Sequence, residues 1–396
     1  MSEARGASDD AALSPAVFRL GLVSLLTDVA GDVVTTLLPF FLVGTLGASF
    51  GFVGVVDGAA DALSSFLKVV AGRLGDGRTP KKQLVLAGYS LAGLARPLMA
   101  LASAPVHVLL IRVTDRIGKG IRTAPRDAWI ADVTPPAQRG RAYGVHRAMD
   151  NLGAFLGPIV ALLLHRGLGL TLPTVFALTV VPGALAVLLL WRTPAPSPSA
   201  APAPQRAPAA PLPVRLRAFL AVAFVFALSN ASDAFVLLLG QEVGLDESEV
   251  LGGWIAFAGL RALAIAPGSA LSDRIGRRTT LLLGWLLYAA SYFSFSVASE
   301  PLHWALTLVL YTGYYGLTEG AERALVADLA PGAQRGAAFG WFHGLLGLAL
   351  LPASAVFGAI ADAAGLAAAF RASACVALVA ALALLAVVRS WPSVPR

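Results

Sequence analysis

Charge is what this chain has least of. Only 13% of its 396 residues are Asp, Glu, Lys or Arg, 57% are hydrophobic, and the mean hydropathy is +0.73. A soluble domain carries roughly 25–35% charged residues on its surface, so a water-facing globule is excluded. Cysteine is almost absent: Cys375 stands alone in an apolar run, which rules out an intramolecular disulfide and leaves packing as its role. Histidine is sparse. His107, His146, His165, His303 and His343 are scattered over separate segments and do not make one metal site. The enzyme signatures are missing too. Lys119 sits in a GKG, but no G-x-x-x-x-G-K-[ST] is present, and neither H-E-x-x-H, D-D-x-x-D nor a serine elbow occurs. No catalytic residue, cofactor or metal is therefore expected. The apolar runs are continuous rather than alternating, which argues against a closed β-barrel. Residues 1–14 are polar and mixed in charge, and the apolar stretch after them is too long for a signal core, so no cleavable leader is expected.

What is present is apolar sequence in lengths near 20 residues, the length that crosses a bilayer as a helix. Twelve spans are expected, at 17–43, 49–72, 83–103, 106–130, 142–165, 171–191, 217–240, 250–271, 279–298, 302–328, 337–361 and 366–389. The Pro/Ala run at 193–214 cannot form a packed core or a regular helix and reads as an extended linker. It divides the chain into six-helix bundles at 1–192 and 215–396. The formal charge of +7 belongs to loops rather than to a nucleic-acid surface. Arg73, Arg78, Lys81 and Lys82 follow span two, Arg139 and Arg141 follow span four, and Arg192, Arg206, Arg215 and Arg217 flank the linker. Arg274, Arg277 and Arg278 follow span eight, whereas Glu242, Asp246, Glu247 and Glu249 lie on the opposite side. This asymmetry puts both termini in the cytoplasm.

The halves echo each other. ADVTPPAQRGRAYG at 131–144 returns as ADLAPGAQRGAAFG at 327–340, an offset of 196 residues. GRLGDGRTPKK at 72–82 returns as SALSDRIGRRTT at 269–280. Two related six-helix halves are the sequence form of an alternating-access transporter.

Charge inside an apolar span is costly and marks function by default. Asp28 and Asp32 are four residues apart on one face of span one, where neighbouring carboxylates tend to share a proton. They read as proton carriers or substrate contacts; the alternative for Asp28 is to cap a local break near Gly31. Asp57 and Asp61 repeat the pattern in span two, with Ser64 and Lys68 on the same face; a path role and an inter-span salt bridge are both open. Arg96 precedes Pro97 in span three. Arg112, Asp115, Lys119, Arg122 and Arg126 climb span four at steps of three and four, a single stripe that cannot face lipid. Either Arg112 and Lys119 line the path, or they pair with Asp57 or Asp61 and join spans. In span five, His146, Arg147, Asp150 and Asn151 form a proton relay or a static hydrogen-bonded knot. The second half is leaner: Asn230 and Asp233 early in span seven, Arg261 in span eight, and Glu319, Glu322 and Arg323 in span ten after Tyr311, Tyr314 and Tyr315. Proton coupling is expected in the first half and apolar wall in the second. At the cytoplasmic ends, Asp132 is expected to pair with Arg139 and Asp328 with Arg335.

The sequence resembles the major facilitator superfamily over essentially all its spans. Gly72, Asp76, Gly77, Arg78 and Lys81 look like the loop that follows the second helix in that family, with Gly77 where a basic residue is usual. Gly268, Asp273, Arg274, Gly276, Arg277 and Arg278 match the loop better. In GAFLGP, Gly153, Gly157 and Pro158 resemble the helix-packing motif of proton-driven exporters, and Arg112 occupies the embedded arginine position of the fourth helix. LTDVAGDVVTTLLPFFL, DRIGKGIRTAPRDAWIAD and RGRAYGVHRAMDNLGAFLGP are similar to a bacterial subgroup of poorly characterised permeases. The resemblance implies an all-α fold of two pseudo-symmetric six-helix bundles in the bacterial cytoplasmic (inner) membrane. It implies a monomer in contact with membrane lipids that moves a small molecule with protons, and a cytoplasmic gate that draws on Asp76, Arg78, Arg126, Asp132, Arg139, Asp273, Arg274, Arg277, Asp328 and Arg335. Proton-coupled export is the leading expectation; proton- or sodium-coupled uptake of an anionic solute or chelate, and lipid flipping, are the alternatives.

Overall fold

The computed structural model describes residues 13–75, 81–135, 138–195, 211–330 and 334–389, with the side chains of 68–75, 335 and 336 left aside. Asp76 and Arg78, the side chains of Lys68 and Arg335, and most of the 193–214 linker lie outside the described residues.

Among the described residues every regular element is helical. The α-helices are α1 (Pro15–Phe40), α2 (Phe50–Gly75), α3 (Lys81–Ala95), α4 (Pro105–Asp132), α5 (Arg139–Leu162), α6 (Leu172–Leu178), α7 (Val180–Arg192), α8 (Val214–Ala227), α9 (Ala234–Glu242), α10 (Glu247–Ile275), α11 (Arg277–Ser296), α12 (Pro301–Leu329), α13 (Arg335–Ala364) and α14 (Leu366–Arg389). They follow the twelve expected spans, with α6 and α7 sharing one and α8 and α9 another. Among the described residues eight helical stretches are long and apolar enough to cross a membrane by length and composition alone. α4 is not among them because its charged stripe interrupts the apolar run, and α8 and α9 are each too short. Large apolar side chains such as Phe66, Leu110, Leu263, Leu302 and Trp341 are exposed on the outside, as lipid-facing positions would be.

The break between α8 and α9 was not expected. Asn230 and Asp233, placed early in one continuous span by the sequence, lie with Ser229 in a stretch where that span unwinds. Non-helical backbone at membrane depth is tolerated only where protein or a water-filled cavity satisfies it. Here Ser354 Oγ accepts from the Ser232 N–H at 3.1 Å, and Tyr288 donates to the Ser229 carbonyl at 2.8 Å.

The chain forms two compact units, Met1–Leu37 with Phe66–Gln205 and Leu38–Ser65 with Arg206–Arg396. Small residues explain why 38–65 belong to the second. A Cβ on Gly58 would lie 2.8 Å from the Leu351 Cα, and Gly54 lies as close against the Ser354 carbonyl, so α2 and α13 touch backbone to backbone. Asp362 of α13 then accepts the Phe50 and Gly51 N–H groups at 2.7 and 2.8 Å. A carboxylate there satisfies donors that the first turn of any helix leaves unmatched.

In the first unit, α3 and α4 cross where Gly88 meets Gly118; a Cβ on either would stand 2.6 Å from the carbonyl of the other. Leu13, Val17, Leu20, Val85, Tyr89, Trp129 and Leu190 form a buried cluster beside this crossing. α3 and α4 run antiparallel, which brings the start of one beside the end of the other.

Candidate functional site

The first unit gathers its charge on the inward faces of α1, α3, α4 and α5. Arg96 is 4% exposed and Asp115 2%. Arg96, the first residue of the 3-10 helix Arg96–Leu101 that continues α3, donates Nε to Asp115 Oδ1 at 2.8 Å and Nη1 to the Thr27 carbonyl at 2.5 Å, so one guanidinium ties this end of α3 to α4 and α1. Gly31 makes room for it: a side chain at that position would begin 3.1 Å from Arg96 Nη2. Arg112 donates to Thr35 Oγ1 at 3.2 Å. Arg122 lies over the Tyr89 ring at 4.2 Å. Arg126, expected at the gate, instead reaches Ser24 on α1 at 3.1 Å while Asp127 accepts two of its N–H groups at 2.9 and 3.0 Å. Ser24 also meets Tyr89 Oη at 2.8 Å and His146 Nε2 at 3.1 Å. A hydroxyl has one proton and two lone pairs, so all three contacts are satisfied when Arg126 and one of the other two donate.

Asp28 and Asp32 are half-buried on α1, and α5 approaches them through glycines. A Cβ on Gly153 would lie 2.6 Å from the Leu25 carbonyl and 3.1 Å from Asp28 Cβ; on Gly157, 2.5 Å from Asp32 Cβ. The GAFLGP stretch is thus the seat of the α1 carboxylates. Asp32 lies within electrostatic reach of Asp28, Lys119, Arg116 and Arg96. His146 Nδ1 stands 3.8 Å from Asp150 Oδ2 and Arg147 4.0 Å from it, which is ion-pair range and beyond hydrogen bonding. Asn151 is exposed and stays apart from the cluster.

In the second unit the break between α8 and α9 is the centre. Ser232 donates to Asp57 at 2.7 Å, and Tyr311 donates to Asp233 at 3.1 Å and meets Tyr315 Oη at 3.2 Å. Asp61 shares this surrounding with Asp57 and Asp233. Arg261 lies 3.7 Å above the Tyr315 ring and 3.9 Å from Glu319, which also meets Arg323 at 3.4 Å. Glu322 accepts from Trp285 Nε1 at 3.2 Å.

The described residues give Asp132 a partner other than the expected Arg139, while the Asp328–Arg335 expectation rests on a side chain outside the described residues. Asp132 meets Lys81 at 2.5 Å, and Asp328 meets Arg277 in a close pair; Arg139, Asp273 and Arg274 are exposed. The antiparallel crossings explain the choice, since Lys81 and Arg277 open α3 and α11 beside the last turns of α4 and α12. Both pairs obey the 196-residue offset of the repeat. So do positions in mid-helix whose chemistry has diverged. Arg96 and Asp115 correspond to Tyr292 and Tyr311, an edge-to-face pair at 5.8 Å. Tyr89 and Arg126 correspond to Trp285 and Glu322. At 96 and 115 one unit is charged where the other is aromatic, and at 126 the sign of the charge is reversed.

The sequence profile of the Major Facilitator Superfamily matches residues 20–260 and 218–396. The chain belongs to the major facilitator superfamily. It is 30% identical over 357 residues to an uncharacterised transporter of this type from Methanocaldococcus jannaschii, covering 88% of this chain and 89% of the relative. A shorter likeness, 30% over 128 residues and 32% of each chain, is to the multidrug resistance protein MdtH of Proteus mirabilis. The nucleoside transporter NupG has the same fold, with a TM-score of 0.78 at 14% identity over 94% of this chain and 99% of NupG. The twelve-helix superfamily fold and membership among its secondary transporters follow from these matches. Arg116, Tyr89, Ser24, Thr27 and Thr35 complete the first unit's network and were not singled out from sequence. Arg116 carried the one available signal, a further cation beside Asp115 on the α4 stripe.

Proposed function

We propose that this transporter couples to protons and exports a small organic solute by alternating access, as a monomer in the bacterial cytoplasmic membrane with both termini in the cytoplasm. The observation that carries the reading is the seating of Asp28 and Asp32 on the α1–α5 crossing, with Arg116 and Lys119 of α4 and Arg96 nearby. Two carboxylates four residues apart exchange a proton when the field of neighbouring cations changes, and the backbone contact at Gly157 links that exchange to helix movement. The partial likeness to a multidrug resistance protein favours export. The charged character of the first unit also supports a second reading, uptake of an anionic solute.

Asp28→Asn, Asp32→Asn and Asp150→Asn are each expected to fold, and at least one to abolish accumulation driven by a pH gradient. The measurement is solute movement in proteoliposomes carrying a trapped pH dye, with imposed pH or sodium gradients. Full pH-driven transport in all three variants would remove proton coupling from these residues. Transport driven by sodium alone would replace the proton as the coupling ion.

A further inference from the structure

We propose that Arg122 is an anion-binding group that holds the carboxylate or phosphate of the carried solute. This deepens the transporter reading above and rests on it. The Arg122 side chain is 2% exposed, and its Nε and Nη1 are buried with no hydrogen-bond partner. Buried arginine donors are normally all spoken for, because an unmade bond on a buried charge forfeits its hydration without return. The ring of Tyr89 lies under the guanidinium, and its hydroxyl is fixed by Ser24. A face held on an aromatic ring leaves the edge of the guanidinium to recognise oxygen atoms.

The neighbouring charges give the sign of the ligand. Asp115 is engaged by Arg96, and Asp127 by Arg126. The cations of this face are Arg96, Arg112, Arg116, Lys119 and Arg122, and the carboxylates are Asp28, Asp32 and Asp115; on the α5 side His146 lies near Asp28, and Asp150 lies against Arg147. With both α1 aspartates ionised the face still has two positive charges in excess, and a proton on either raises the excess to three. An anion is attracted more strongly as that proton arrives, so the same residues can link solute and proton in one direction, which fits the second reading above, uptake of an anionic solute, rather than export.

The repeat shows that the fold itself does not require this arginine. Residue 122 corresponds to Thr318 in the second unit. A Cβ on Gly88 would meet Arg122, at 2.7 Å from its Cβ, just as one on Gly284 would meet Thr318. The same helix crossing is therefore built in unit two with a neutral side chain, whose hydroxyl donates to the Tyr314 carbonyl at 2.9 Å.

The test is binding to the purified full-length protein in detergent at constant ionic strength. The probes are radiolabelled inorganic phosphate, radiolabelled succinate, and phosphatidylglycerol in mixed micelles, with chloride as the control. At least one oxyanion should bind the wild type. Arg122→Gln should weaken it by at least about tenfold, and Arg122→Lys by less, since an ammonium keeps the charge and loses the planar fork. Protection of Arg122 from phenylglyoxal, mapped by mass spectrometry on the wild type, gives the same answer should Arg122→Gln fail to fold. Binding of phosphatidylglycerol without the soluble anions would support the site and make a lipid headgroup its source. Binding of none of the three, or equal binding by a folded Arg122→Gln, would overturn it. Proton-driven transport by a chain that binds no anion would sink this inference alone. Anion binding without any response to a pH gradient would sink proton coupling alone.

Discussion

Asp115→Asn should cost about 3–5 kcal/mol of stability, because it leaves Arg96 buried and uncompensated. Arg96 is 4% exposed and makes its two strong bonds to the Asp115 carboxylate and the Thr27 carbonyl, so no solvent is at hand to take over the lost partner. The amide keeps the size and one acceptor oxygen but not the charge. The double variant Arg96→Met, Asp115→Leu should recover a large part of the loss, since removing both charges also removes their desolvation cost. The second unit argues for this directly: the corresponding positions hold Tyr292 and Tyr311, packed edge to face, in the same kind of crossing. Unfolding in mixed micelles, followed by tryptophan fluorescence, measures all three proteins. A loss below about 1 kcal/mol for Asp115→Asn would mean that the pair is hydrated in the membrane and worth no more than a surface bridge. A double variant as unstable as the single one would mean that the two side chains carry packing rather than charge.

That comparison also shows how far the sequence could be read. The twelve spans were legible because each must present apolar side chains to lipid over a fixed length, a constraint that most residues in a run obey even where a charged stripe faces inward. The repeat was legible in the loops, where Asp132 and Asp328 sit in nearly identical strings. It was hidden inside the membrane because the backbone crossing persisted while Arg96 and Asp115 became tyrosines, and similarity of residue type is all that a sequence displays. The partner of Asp132 was misplaced for a related reason. Arg139 is nearer along the chain, but the antiparallel run of α3 and α4 brings Lys81 to it. The break at Ser229–Asp233 was missed because a short polar run in an apolar span looks the same whether the helix continues or unwinds. What distinguishes the two is Asp57, Tyr288 and Ser354, three partners from distant parts of the chain. The charged residues of α4 were legible as one stripe; which of them meet Thr35, Tyr89 and Ser24 depends on helices whose rotation no spacing reports.

Gly157→Val should destabilise the protein by about 1–3 kcal/mol and abolish transport. Its first added carbon would come 2.5 Å from Asp32 Cβ and 3.1 Å from both the Asp32 carbonyl carbon and the Val29 carbonyl oxygen. Two of those three atoms belong to the backbone of α1, so no change of rotamer relieves the crowding. The helices must separate, and Asp32 moves with α1. Gly157→Ala brings the same first carbon and should show a smaller version of both effects. Gly144 is the control within the same helix. Nothing lies within 4 Å of the position its Cβ would take, so Gly144→Ala should be neutral or raise stability by roughly 0.5–1 kcal/mol through helix propensity alone. Thermal midpoints in detergent and pH-driven transport in proteoliposomes separate the possibilities. If Gly157→Val keeps normal transport, α1 and α5 need not touch, and Asp32 does not depend on that contact for its place. If it loses stability in proportion to transport, the crossing is a structural joint. If Gly157→Ala stays close to wild-type stability and loses most of its transport, the close approach of α5 to the α1 carboxylates is part of the working cycle.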